Sequence, residues 1–183
     1  LDAANPRSYP GSGTTWYDIS GGGINLTTTG GNGNGNFPTY QSSAFSFASP
    51  NALYNSVNQT NLNITNNITI ASWVNQTNLV LYGGICVFGT GSAEQYSLNS
   101  DSTYGFSFGT NWPGTWYLTY PTGTLANATG TWIYVCVSFA SGTTTWYING
   151  TLNTTVSQGI NSLTSVSGGY VGVGDNFPGG QEY

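Results

Sequence analysis

Lysine, histidine and methionine are absent from this 183-residue chain, and Arg7 is its only basic side chain. With a formal charge of −5 there is nothing to neutralise a phosphate backbone, which excludes nucleic-acid binding. The missing histidine and lysine also remove the usual general bases, and with them a conventional serine or cysteine hydrolase site. Long apolar runs are lacking too. Trp132 to Val137 is among the longest, far below the ~20 residues of a membrane-spanning helix, and no basic amphipathic helix is present. Membrane insertion is therefore not expected. Charged residues make up 4% of the chain against about 25% in ordinary soluble proteins, so asparagine, serine, threonine and glycine must carry its solubility. The chain opens at Leu1 without a charged and apolar leader, and the expectation is a start removed by processing or cropped from a longer protein.

What is present reads as strand and turn. Runs rich in β-branched and aromatic residues fall at 44–47, 68–74, 79–88, 104–108, 115–120, 132–139, 144–148 and 170–173, separated by Gly, Asn, Ser and Pro. No window keeps an apolar period of 3.6, so the fold class is all-β, a sandwich or barrel. The length suits one domain over 1–183, and the GGNGNGN stretch at 30–36 reads as a loop. From Trp132 to Leu152 the sequence predicts a three-stranded meander turning at Ser141-Gly142 and at Asn149-Gly150, the second a strong hairpin signal.

That meander resembles the concanavalin A-like lectin/glucanase superfamily, in its laminin-G-like branch, whose members carry a W..V...F..G....YVNG pattern at this place. Ile68 to Asn75, Gly83 to Gly91 and Gly169 to Gly174 are similar to further strands of the family, in its order. Asn5 to Gly21 resembles the opening of such domains in virus structural proteins. The resemblance implies a two-sheet antiparallel jelly-roll sandwich. Family members often close with one more strand beside the first. The chain stops at Tyr183 before such a strand, so the expectation is that further sequence or a neighbouring chain completes the sheet.

The resemblance also raises glycoside hydrolysis, since glucanases share the fold. That chemistry needs two carboxylates facing one another, about 5–5.5 Å apart for retention and 6.5–9.5 Å for inversion. The acids are Asp2, Asp18, Asp101, Asp175, Glu94 and Glu182, and no two lie at the family's E-x-D-x-(x)-E spacing. Glu94 and Glu182 sit among Gly, Ser and Gln and read as solvated loop carboxylates, so the chain is expected not to be an enzyme. Sugars stack their C–H faces on Trp and Tyr while amides meet the hydroxyls. Asn111, Trp112, Trp116 and Tyr117 form the clearest such cluster, with Trp112 expected in a turn beside Pro113. Capping of the sandwich is the alternative for these rings, whereas Trp73, Trp132 and Trp146 lie in predicted strands and are expected in the core. No cofactor is required. The resemblance admits calcium, with Asp175 and Asn176 as candidate ligands and Asp18 or Asp101 as a partner; a plain turn at 175–176 is the other reading. Cys86 and Cys136, about 50 residues apart in predicted strands, either form a disulfide worth about 4 kcal/mol or stay as buried thiols.

Asn25, Asn58, Asn63, Asn67, Asn75, Asn127, Asn149 and Asn153 all open N-x-Thr sequons. Eight of 21 asparagines do so, where random placement of 26 threonines gives about three, which favours passage through a glycosylating export route. Asn75 and Asn149 have a separate reason to be there, as a strand residue and a turn residue. The chain thus reads as an extracellular, cell-surface or virion-surface domain. Its expected partners are glycans in an adhesion role, or copies of itself and neighbouring subunits in a surface assembly.

Overall fold

Alternation of inward and outward side chains decides this architecture, described here for residues 1–28, 36–48, 51–55, 59–78, 83–90, 92–112, 114–123, 125 and 129–174 of a computed structural model. The strands in chain order are β1 (Thr15–Trp16), β2 (Leu26–Thr27), β3 (Thr39–Tyr40), β4 (Phe45–Ser46), β5 (Leu53–Asn55), β6 (Ile68–Asn75), β7 (Gly84–Thr90), β8 (Ala93–Asp101), β9 (Gly105–Trp112), β10 (Tyr117–Thr119), β11 (Trp132–Ala140), β12 (Thr143–Ile148), β13 (Thr151–Ser157) and β14 (Tyr170–Val173). A single 3-10 turn, Thr60–Leu62, is the helical exception among the described residues. An eight-stranded sheet runs β1-β2-β5-β14-β7-β8-β9-β10, a four-stranded sheet runs β13-β12-β11-β6, and β3 pairs only with β4. The pairings are antiparallel, giving the expected sandwich.

In β11, Ile133, Val135, Val137 and Phe139 are buried between the sheets while Trp132, Tyr134, Cys136 and Ser138 alternate outward. Phe88, Tyr96, Leu98, Phe106 and Phe108 meet them from the large sheet, and Trp146 of β12 is fully enclosed. Each such side chain contributes about 1.5–3 kcal/mol by leaving water. Both predicted meander turns form, with positive φ at Ser141 and Gly142 and again at Asn149 and Gly150, the two-residue geometry that matches strand twist.

Residues before β5 add a smaller aromatic nucleus. The Phe45 ring centroid lies 4.7 Å from that of Tyr9, 4.8 Å from Trp16 and 5.5 Å from Phe37. Residues 1–10 form turns rather than a strand, pinned by Ser8 Oγ donating to the Tyr17 carbonyl at 2.6 Å.

Several expectations are corrected. Trp73 and Trp132 are 63% and 50% exposed, because strand parity puts them on the outer face of the four-stranded sheet; only Trp146 of the three is core. Cys86 and Cys136 are free thiols. Cys86 packs against the core from the large sheet, whereas Cys136 points out of the other sheet between inward Val135 and Val137, so the two cannot bond. Burial pushes the Cys86 thiol up to about 11, keeping it protonated. Trp112 ends β9 opposite Glu94 instead of lying in a turn. The central strand β8 was absent from the predicted set.

Candidate functional site

Glu94 and Asn111 are the polar heart of a cleft of about 230 Å³ where β7, β8 and β9 end beside the segment entering β14. Its other walls are Thr90, Ala93 and residues 164–167. A register shift between Phe88 and Gly89 interrupts the ladder where β7 faces Glu94. The Glu94 carboxyl is largely buried, and among the described residues its Oε2 has no hydrogen-bond partner. Desolvation pushes this carboxyl above the usual range, against a smaller lowering effect of the Ser97 hydroxyl. Next along the strand, Gln95 is wholly buried and neither of its amide atoms is paired among the described residues. Buried polar groups left without a partner cost stability unless a water or a ligand meets them.

Asn111 adopts a left-handed backbone (φ 65°), and its side-chain oxygen accepts from the Thr164 N–H at 2.7 Å. The same wall is gripped from the opposite side by Asn63. Its Nδ2 donates to Ser165 Oγ at 2.8 Å and to the Val166 carbonyl at 2.9 Å, and its Oδ1 accepts from the Val166 N–H at 3.3 Å. Two asparagines thus hold the 164–166 wall in place, and Asn111 and Glu94 both line the cleft. Glu94 was expected as a solvated loop carboxylate; burial in β8 overturns that reading, while Glu182 lies outside the described residues.

The predicted aromatic cluster is divided. Asn111 lines the cleft, and Trp112 pairs its backbone with Glu94, its side chain lying outside the described set. Trp116 is half-buried over Gly109, where an added Cβ would stand 2.5 Å from the indole nitrogen, and Tyr117 is half-buried opposite Thr110. Neither of these two borders the cleft. Asp175 and Asn176 lie outside the described residues. Their proposed calcium partners serve their own loops: Asp18 accepts from the Ser20 and Ile24 N–H groups, and Asp101 Oδ1 from those of Thr103 and Tyr104. Among the described residues no three ligand side chains gather for a metal.

The sequons separate by geometry. Asn67 and Asn149 are exposed, and the Asn149 side-chain oxygen accepts from the Tyr134 N–H. Asn63 spends both amide hydrogens on the cleft wall, and Asn153 is tied to Thr122 through both ends of its amide. Asn25 accepts from the Asp18 N–H, Asn75 ends β6, and Asn58 and Asn127 lie outside the described residues.

The acid dependence of stability follows from two opposed carboxyls. Glu94, held above its ordinary value, adds stability below the unfolded-state carboxyl range and loses it as pH rises through its folded value. Asp18, held lower chiefly by the Ser20 hydroxyl, adds stability above that range and loses it as pH falls. With six side-chain acids in all, the melting temperature is expected to vary by less than about 20 °C between about pH 2 and 8. In Glu94→Gln the decline from about pH 4 upward should vanish; a thermal-shift series in which the variant keeps that decline refutes the assignment.

Residues 49–183 match the concanavalin A-like lectin/glucanases superfamily, and the chain belongs to that family. No characterised protein sequence matches it. Among solved structures it is similar to the binding domain of Paraclostridial mosquitocidal protein 1 (TM-score 0.59, 14% identity, covering 89% of this chain and 42% of that one). It is similar also to a botulinum neurotoxin type C chain whose cell entry depends on two ganglioside molecules (TM-score 0.54, 13% identity, 93% and 44%). A third is domain 4 of the arabinanase AbnA from Geobacillus stearothermophilus, in complex with arabinotriose (TM-score 0.53, 15% identity, 91% and 68%). The chain spans less than half of the two toxin chains. At these identities the likeness is one of fold.

Proposed function

We propose that this is a non-catalytic carbohydrate-binding domain acting at an extracellular or virion surface, with the sugar held in the Glu94–Asn111 cleft. The carrying observation is the buried Glu94 oxygen, without a partner among the described residues, at the end of a small cleft otherwise lined by hydroxyls, an amide and the apolar side chains of Ala93 and Val166. A carboxyl there exchanges hydrogen bonds with sugar hydroxyls, Asn111 Nδ2 donates a further one, and Ala93 and Val166 meet a C–H edge. Glycosidic cleavage needs a facing carboxylate, and among the described residues no second acid lines the cleft. The sugar ligands of the toxin and arabinanase relatives agree with this reading.

A glycan-array screen of the enzymatically deglycosylated domain should return a defined set of glycans. Glu94→Gln and Asn111→Ala should each weaken their binding by about 10-fold or more, the cost of losing a hydrogen bond in a desolvated site. An empty array, or binding that both variants leave intact, removes the proposal.

A further inference from the structure

The outer face of the four-stranded sheet gathers three of the exposed large apolar side chains among the described residues. Strand register sets Asn75 opposite Trp132, Trp73 opposite Tyr134, and Ala71, Cys136, Tyr147 and Leu152 in one cross-sheet row. Trp73, Trp132 and Leu152 are 63%, 50% and 59% exposed, and the Trp73 and Tyr134 ring centroids lie 5.3 Å apart. The next row, Thr69, Ser138, Thr145 and Thr155, is hydroxylic, so the apolar patch is bounded. Two indoles left this open forgo much of their burial energy.

Asn75 stands inside this patch. It opens Asn75-Gln76-Thr77, whose threonine is exposed, and it follows Trp73 by two residues, so both side chains leave the same face of β6. Across the ladder its direct neighbour is Trp132, at a Cβ separation of about 4.5–5.5 Å. Among the described residues Asn75 Oδ1 is buried without a hydrogen-bond partner. Among the sequons in the described residues, only this one has an exposed tryptophan both two residues before it and directly across the ladder.

We propose that Asn75 is an N-glycosylation site whose first N-acetylhexosamine lies against Trp73 and Trp132, so that the chain's own sugar closes this face. The amide nitrogen displaces a lipid diphosphate from C1 of a lipid-linked oligosaccharide. The N–C1 bond forms, the C1–O bond breaks with its electron pair leaving on the diphosphate, and the amide gives up one proton. The attached ring's C–H face then covers indole, an apolar contact of the kind aromatic rings make with sugars. The proposal shares with the carbohydrate-binding reading only the passage through a glycosylating pathway; the cleft plays no part in it.

The test secretes the chain from a glycosylating eukaryotic host, maps each sequon by peptide mass spectrometry, and follows acrylamide quenching of tryptophan. Asn75 should be occupied. Thr77→Ala, which removes the sequon without touching Asn75, and Asn75→Gln should both raise the quenching and lower the melting temperature by about 2–4 °C. Trimming the glycan to its first sugar should change neither. Trp73→Ala should abolish most of the stability difference between threonine and alanine at 77. Occupancy at Asn67 and Asn149 with Asn75 bare overturns the proposal while leaving the export reading intact; a chain bare at every sequon overturns both. Unchanged quenching in Thr77→Ala overturns the packing, and protection of the indoles in unglycosylated protein that grows with concentration assigns the face to a second copy instead.

Discussion

Trp146→Ala should lower the stability of the fold by about 3–5 kcal/mol, seen as a fall of roughly 10 °C or more in melting temperature. Trp146 is the largest fully buried side chain among the described residues, set in β12, and its indole N–H donates to Thr119 Oγ1 of β10 at 3.3 Å. The ring therefore joins the two sheets by packing and by a buried polar contact. Alanine leaves a cavity that the β-sheets cannot collapse into, and a threonine hydroxyl with no partner. Trp146→Phe separates the contributions, keeping most of the volume and losing the hydrogen bond; it should cost about 1–3 kcal/mol less than alanine. Chemical denaturation of the three proteins checks this, and an alanine variant within about 1 kcal/mol of wild type would falsify the assignment of Trp146 as the keystone between sheets.

Gly142→Ala is expected to destabilise by about 2–5 kcal/mol, and Gly150→Ala by only about 1–2 kcal/mol. Both glycines occupy the second position of a two-residue turn, at φ 79° and 80°. Their backbone penalties should be alike. The surroundings differ: a Cβ on Gly150 meets nothing within 4 Å, while one on Gly142 would lie 2.0 Å from the Ile160 carbonyl oxygen. That oxygen is backbone, so the 158–161 segment must shift, and with it the Gln158 N–H donating to the Gly142 carbonyl at 2.7 Å. Equal urea midpoints for the two variants would show that the segment yields freely.

The meander turns were legible because each depends on local chemistry alone, Ser-Gly or Asn-Gly between alternating strands. Strand β8 was not, since Gln95, Ser97, Asn99 and Asp101 are polar residues buried by tertiary contacts, and only Tyr96 and Leu98 betray its period of two. Glu94 was misread for the same reason: its sequence neighbours are those of a loop, and the burial that raises its carboxyl comes from strands distant in sequence. Asn111 was found by composition, but its cleft needs residues 164–167, which lie some 50 positions away. Parity was the neglected signal. Ile68, Ile70 and Val74 of β6 claim the inner face, which forces Trp73 outward, and Val135 and Val137 do the same to Cys136; place in the alternation outweighs the hydrophobicity of the side chain itself.

With one basic side chain in the entire chain, the described residues wall the cleft with hydroxyls, one amide, two small apolar side chains and a single carboxyl that burial holds toward its neutral form. Salt acts on proteins mainly by screening charge and exchanging counterions, and a site built this way offers little of either. A neutral ligand bound there as proposed should therefore be held in a way nearly blind to the medium, alike in fresh water and in the sea.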